Sequence, residues 1–147
     1  MEKNNIVISE MSEADLLYLK NSLNEFDDFW TFNILEQELK NENTTYIVAK
    51  ENDLVVGFAG LLMIVDEANI MNIVTKKDKR NSGIGTLLLK KLIELAREQN
   101  STSITLEVNE KNIPAINLYK KLQFKEVGVR KKYYDNTDSA ILMTLYL

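Results

Sequence analysis

The chain has 147 residues, 45% of them hydrophobic and 27% charged, with a net charge of −4 from 18 basic and 22 acidic side chains. That length suits one domain able to bury roughly two thirds of its unfolded surface, and the negative charge argues against bulk binding of nucleic acid or anionic membrane. With no cysteine and no histidine, disulfides, thiol nucleophiles, the usual zinc sites and histidine-based triads are excluded, so any acid or base must be Glu, Asp, Lys or Tyr.

The start, MEKNNIVISE, lacks the apolar core of a signal peptide, and no run reaches the ~18 apolar residues of a membrane span, so the cytoplasm is the expected location. Asn5 to Glu10 alternates weakly as a short strand. Ser12-Glu13-Ala14-Asp15 then reads as a capping box opening a helix to about Glu25. Thr31 to Asn41 is a second amphipathic helix with Phe32, Leu35 and Leu39 on one face. Tyr46 to Lys50, Leu54 to Val65 and Ala68 to Thr75 are β-rich, and the breaks Glu51-Asn52-Asp53 and Asp66-Glu67 suit hairpins, which predicts three consecutive antiparallel strands.

Gly83 to Asn100 is a helix with Ile84, Leu88, Leu92, Leu95 and Ala96 on one stripe. Thr102 to Val108 is a strand, Ile113 to Leu122 a helix, and Phe124 to Tyr134 and Ala140 to Leu147 are closing strands. The order β-α-α-β-β-β-α-β-α-β-β puts a meander before βαβ crossovers. It predicts one domain over residues 1–147, of mixed α/β (α+β) class with a mixed sheet. An exposed final strand is where a weak dimer would form, a monomer being the other expectation.

Two of the five glycines fall within Lys79-Arg80-Asn81-Ser82-Gly83-Ile84-Gly85-Thr86, at a helix entrance. Backbone N–H groups and the helix dipole make such an entrance an anion site, Arg80 adds a full charge, and glycines let a phosphate approach the main chain. A tight turn with Ser82 as N-cap accounts for the same residues. Neither a Walker loop nor a dinucleotide fingerprint fits, since the third glycine of the latter is replaced by Leu88.

A second cluster follows. Ile104, Leu106 and Val108 share one strand face and leave Glu107 on the other, as a base or as a solvent carboxylate. Asn112 with Pro114 marks a helix N-terminus by ordinary capping. Ala115, Leu118, Tyr119 and Leu122 form a stripe, which makes Tyr119 a core tyrosine unless it has a chemical task.

Together the clusters change the reading. Arg80-x-x-Gly83-x-Gly85 resembles the pyrophosphate loop of the Gcn5-related N-acetyltransferases (GNAT). Asn72-Ile73-Val74-Thr75, Leu106-Glu107-Val108, Asn112-x-x-Ala115-Ile116-x-Leu118-Tyr119 and Arg130-Lys131-Lys132-Tyr133-Tyr134 resemble the RimI family within it. The resemblance runs from about Val48 to Leu145. It implies the GNAT fold, a central mixed sheet of six to seven strands flanked by about four helices. It also implies acetyl transfer from acetyl-CoA, without a metal, to the N-terminal alanine of a small-subunit ribosomal protein.

The resemblance makes Glu107 the general base and Tyr119 the general acid. It assigns the backbone of Ile73, Val74 and Thr75 to the pantetheine arm and thioester carbonyl, Arg80, Asn81, Ser82, Gly83, Ile84, Gly85 and Thr86 to the pyrophosphate, and Asn112 to coenzyme A. Trp30, Tyr133 and Tyr134 would shape the acceptor slot, or serve as aromatic packing. The chemistry agrees, since a carboxylate can take the amine proton, a backbone N–H can hold the oxyanion and a phenol can protonate the thiolate.

Two departures stand out. Gln123-Phe124 replaces the usual Gly-Phe after the Leu-Tyr helix, so Gln123 must adopt a left-handed turn at some cost or the turn differs. Asp138-Ser139-Ala140 replaces Glu-Asp-Ala after a shorter loop, close to where the acceptor is expected. Acetylation of a small amine such as a polyamine or aminoglycoside, and a non-catalytic acetyl-CoA-binding module, are the alternatives. The basic residues Lys120, Lys121, Lys125, Arg130, Lys131 and Lys132 would touch the ribosome or only solvent.

Overall fold

The structure is a computed structural model that describes residues 5–26, 32–134 and 138–147. The chain forms two compact units, Met1–Leu62 with Met71–Glu94 and Met63–Ile70 with Leu95–Leu147. The elements in chain order are β1 (Ile6–Glu10), α1 (Glu13–Lys20), α2 (Phe32–Leu39), β2 (Thr44–Glu51), β3 (Leu54–Ile64), β4 (Glu67–Thr75), α3 (Ile84–Glu98), β5 (Ser103–Asn109), α4 (Ile113–Lys121), β6 (Lys125–Tyr134) and β7 (Asp138–Tyr146). Short 3₁₀ turns lie at Leu23–Glu25 and Lys77–Lys79. The strands hydrogen-bond in the order β1-β2-β3-β4-β5-β7-β6, a seven-stranded mixed sheet. Among the described residues no helix is long and apolar enough to cross a membrane.

In the first unit β1 runs antiparallel to β2, from Ile6 opposite Glu51 to Glu10 opposite Ile47. β2 runs antiparallel to β3 through a two-residue turn at Asn52 and Asp53, with φ of 52° and 70°. Such left-handed pairs match the twist of a hairpin, and Asn and Asp tolerate them. Helix α1 opens on the expected capping box: Ser12 Oγ accepts from the Asp15 amide at 3.1 Å, and Asp15 Oδ2 accepts from the Ser12 amide at 2.9 Å. It ends at Lys20, however, not near Glu25. The Ser22 hydroxyl takes the Tyr18 carbonyl at 2.8 Å, so the Ser22 amide turns to Leu19 and the chain tightens into the 3₁₀ turn. This unit buries Leu19, Phe26, Leu35, Tyr46, Val48, Phe58 and Val74 around the Phe26–Phe58 ring pair, whose centroids lie 5.7 Å apart.

In the second unit β4 begins parallel to β5, pairing Glu67 with Ser103 through Asn69 with Thr105. β5 is antiparallel to β7, and β7 to β6. The final strand is therefore internal, paired on both sides, and the expectation of an exposed last strand is corrected: the hairpin returns β7 inside and leaves β6 at the edge. The end of α3 carries Asn100 at φ 61°, with the Ser101 amide bonded back to Ala96 at 3.0 Å. This left-handed cap satisfies the last carbonyls and lets β5 begin three residues later.

Candidate active site

The loop before α3 belongs to the first unit. Gly83 has φ 91°, a backbone region closed to most side chains, and its carbonyl accepts the first helical bond from Leu87 at 3.1 Å. Gly83 thus holds the N-cap position, and the expectation for Ser82 is corrected, because its hydroxyl is spent on the Lys79 carbonyl. Gly85 is different. It lies in the first helical turn, and a Cβ added there would meet nothing closer than Thr75 Oγ1 at 3.9 Å. The fold makes no steric demand for glycine at this position, and the space beside it is open.

The amides of the first helical turn have no partner within the helix. Beside them the cations are partly engaged. The Arg80 guanidinium donates to the Phe26 carbonyl at 2.8 Å, Lys79 pairs with Glu51 at 2.8 Å, and Lys76 with Glu25 at 3.4 Å. Hydrogen bonding to Glu51 holds the Lys79 ammonium above its ordinary pKa. Arg80 keeps further N–H donors, since a guanidinium has five. Ile73, Val74 and Thr75 end β4, where Val74 is buried and its neighbours are half-buried.

In the second unit Ile104, Leu106 and Val108 are buried as their alternation requires, and Glu107 stands exposed on the other face. It is not a lone solvent carboxylate: Arg130 of β6 donates to its Oε2 at 2.7 Å. Across β7, Glu107 is opposite Leu142 and Arg130 opposite Ala140, so the two charged residues share a sheet face. The small, fully buried Ala140 leaves the long arginine room to cross. The sequence places Arg130 in a basic run but does not pair it with Glu107, because no local periodicity links positions 23 apart.

Asn112 caps α4, its Oδ1 accepting from the Ala115 amide at 3.3 Å, with Pro114 in the first turn. The buried residue of α4 is Ile116, at 5% exposure, while Ala115, Leu118, Tyr119 and Leu122 are only half-buried. This corrects the expected stripe. The helix points Ile116 inward, so Tyr119, three positions on, lies at the margin of the buried face. Gln123 does adopt the left-handed turn, with φ 80°. Its amide bonds the Lys120 carbonyl and the Phe124 amide bonds the Tyr119 carbonyl, both at 3.0 Å, while the Tyr119 and Phe124 rings meet at a tilt of 55° with centroids 5.9 Å apart. Paired bonds with an apolar contact are a complete Schellman motif, made here without glycine.

The turn after β5 is fastened to the start of β7. Asp138 receives Asn109 Nδ2 at 3.2 Å and pairs with Lys111 at 2.9 Å, while Glu110 and Ser139 exchange hydrogen bonds at 2.9 and 3.0 Å. The bond from Lys111, then that from Asn109, holds the Asp138 carboxyl below the usual range, and Lys111 is raised in return. Asp138-Ser139 thus serves as a clamp. Of the residues expected to shape an acceptor slot, Trp30 and the side chains of Tyr133 and Tyr134 lie outside the described residues.

The model of the acetyltransferase (GNAT) family matches residues 9–124, and the chain belongs to that family. It is an acyltransferase by membership, and the nearer likenesses narrow the kind. The chain is 36% identical over 124 residues to the ribosomal protein bS18-alanine N-acetyltransferase of Haemophilus influenzae, spanning 80% of this chain and 82% of that protein. It is 36% identical over 98 residues to the Escherichia coli (strain K12) protein of the same name, spanning 65% of this chain and 66% of that protein. The crystal structure of the Escherichia coli ribosomal-protein-S18-alanine N-acetyltransferase superposes with a TM-score of 0.87 at 28% identity, over 96% of this chain and 93% of that one. A GNAT acetyltransferase from Elizabethkingia anophelis with acetyl-CoA bound shares the fold, with a TM-score of 0.78 at 23% identity over 99% of this chain and 100% of that one.

Proposed function

We propose that this chain transfers the acetyl group of acetyl-CoA to the N-terminal α-amino group of a small-subunit ribosomal protein that begins with alanine. The observation that carries acetyl-CoA binding is the space at Gly85, which the fold leaves open at a helix N-terminus. A pyrophosphate suits it: the N–H groups from Asn81 to Thr86 donate to the anion, the α3 dipole favours it, and Arg80 contributes a further donor. The backbone of Ile73, Val74 and Thr75 holds the pantetheine arm and the thioester carbonyl. Asn112, whose Oδ1 is committed to its cap, offers coenzyme A its amide N–H₂. The acceptor is supported by the relatives that carry this activity in their names.

In this reading Glu107 takes a proton from the acceptor amine, directly or through water. An N-terminal α-amino group has a pKa of about 7.7–8.0, so only modest help is needed to present its lone pair. Attack on the thioester forms the new C–N bond and an oxyanion, which a β4 backbone N–H near Val74 stabilises. Collapse breaks the C–S bond, and Tyr119 gives its phenol proton to the departing thiolate. Arg130 holds one carboxylate oxygen of Glu107 and leaves Oε1 to work on the amine. The Trp30, Tyr133 and Tyr134 side chains are proposed to line the acceptor slot, and residues 1–147 to act as one catalytic domain.

The test is acetyl-CoA turnover against a ribosomal peptide beginning with alanine, the same peptide blocked at its N-terminus, spermidine and an aminoglycoside. Turnover of the free-N-terminus peptide alone is expected. Turnover of the small amines alone would overturn the acceptor while leaving acetyl transfer in place.

A further inference from the structure

Glu38 of α2, Tyr46 of β2 and Asn72 of β4 form a hydrogen-bonded chain in the first unit that the reaction above does not use. Tyr46 is 2% exposed, with its ring laid over Gly60, where a Cβ would come within 2.5 Å of Cζ. Its hydroxyl bonds Glu38 Oε1 and, at 2.7 Å, Asn72 Nδ2.

The directions of these bonds follow from the groups themselves. An ionised carboxylate only accepts, so the phenol proton goes to Glu38. The phenol oxygen must then accept, and of the two ends of the Asn72 amide only N–H₂ can donate to it. Burial, reinforced by the hydrogen bond to Glu38, pushes the Tyr46 phenol far above its ordinary range, so it keeps that proton at any working pH. Oδ1 of Asn72 is thereby turned away from Tyr46 as a fixed acceptor. It is buried and has no hydrogen-bond partner among the described residues. A buried carbonyl left unpaired forfeits its hydration with nothing in return. Asn72 directly precedes Ile73, Val74 and Thr75, the stretch proposed above to hold the thioester.

We infer that Asn72 Oδ1 accepts an N–H of the acceptor's primary amine, with Tyr46 and Glu38 as positioning residues that keep the amide in that orientation. The inference rests on the proposed α-amino acetylation and adds what orients the nucleophile. It also states a selection rule: a terminus with no N–H to give loses this bond.

The experiment measures, by calorimetry in the presence of CoA, binding of the alanine peptide and of a des-amino counterpart in which propionyl replaces alanyl. Wild type, Asn72→Ala and Tyr46→Phe are compared, with acetyl transfer to the alanine peptide measured beside them. The preference for the free amine is expected to fall about 3- to 10-fold in Asn72→Ala, the equivalent of one lost hydrogen bond, with CoA affinity unchanged. In Tyr46→Phe, which keeps the ring and frees the amide to rotate, it falls by less. Asn72→Ser carries the same comparison should the alanine variant not fold. A wild-type preference retained in the Asn72 variants would mean that Oδ1 serves water or structure, and the inference falls while wild-type transfer leaves the proposed function standing. Failure of the wild type to acetylate the peptide would overturn both.

Discussion

Substituting Gly85 by alanine separates the two explanations of the loop, a tight turn or a ligand cradle. The new Cβ would lie 3.9 Å from Thr75 Oγ1, an ordinary contact, and Gly85 has no left-handed φ to lose. By backbone entropy alone the variant should be more stable by about 0.4–1 kcal/mol. A phosphate drawn against the main chain meets the methyl instead. Losing one charge-assisted hydrogen bond costs about 1.5–3 kcal/mol, so KM for acetyl-CoA should rise about 10- to 150-fold, with Tm unchanged or slightly raised. Steady-state kinetics with acetyl-CoA as the varied substrate and a thermal melt read the two quantities separately. An unchanged KM would refute the cradle, and a fall in Tm would refute the claim that the fold does not need glycine there.

Three further outcomes follow from particular contacts. Glu107→Gln and Tyr119→Phe should each lower kcat about 10²- to 10⁴-fold, with KM for acetyl-CoA little changed, in the same turnover assay. Gln123→Gly relieves a left-handed residue at φ 80° and should stabilise by about 1 kcal/mol, or raise Tm by about 2–4 °C in a calorimetric melt. Burial opposes ionisation of Asp15, but the Lys50 ammonium at 2.7 Å and the Ser12 amide and hydroxyl outweigh it and hold its pKa below the ordinary 3.8. A depressed folded pKa contributes stability that is present above the unfolded value and lost as pH falls through the folded one. Asp15→Asn should therefore be less stable than wild type near pH 7, with the difference closing below pH 3.8 in urea melts across the acid range.

Local chemistry was enough to read the capping box at Ser12, the Asn52-Asp53 hairpin, the α3 stripe and the outward face of Glu107. Each depends on residues a few positions apart whose preferences need no distant partner. The helix entrance at Gly83 was legible for the same reason, although the different positions of Gly83 and Gly85 in it were not. Whether a glycine serves the backbone or leaves space for a ligand depends on what its missing Cβ would meet, here Thr75 on another element.

Tertiary structure decided the rest. The early stop of α1 hangs on a hydroxyl at Ser22 that competes for one carbonyl, and the inward placing of β7 depends on strand order, which no local period encodes. Tyr119 moved from the core to its margin because packing chose Ile116 as the inward residue of α4. The Arg130–Glu107 pair and the Glu38–Tyr46–Asn72 chain join residues far apart in sequence. By itself the sequence determined the elements and the chemical groups at hand. Folding decided which groups are spent on one another and which remain for a ligand, because hydrogen-bond partners are assigned in space.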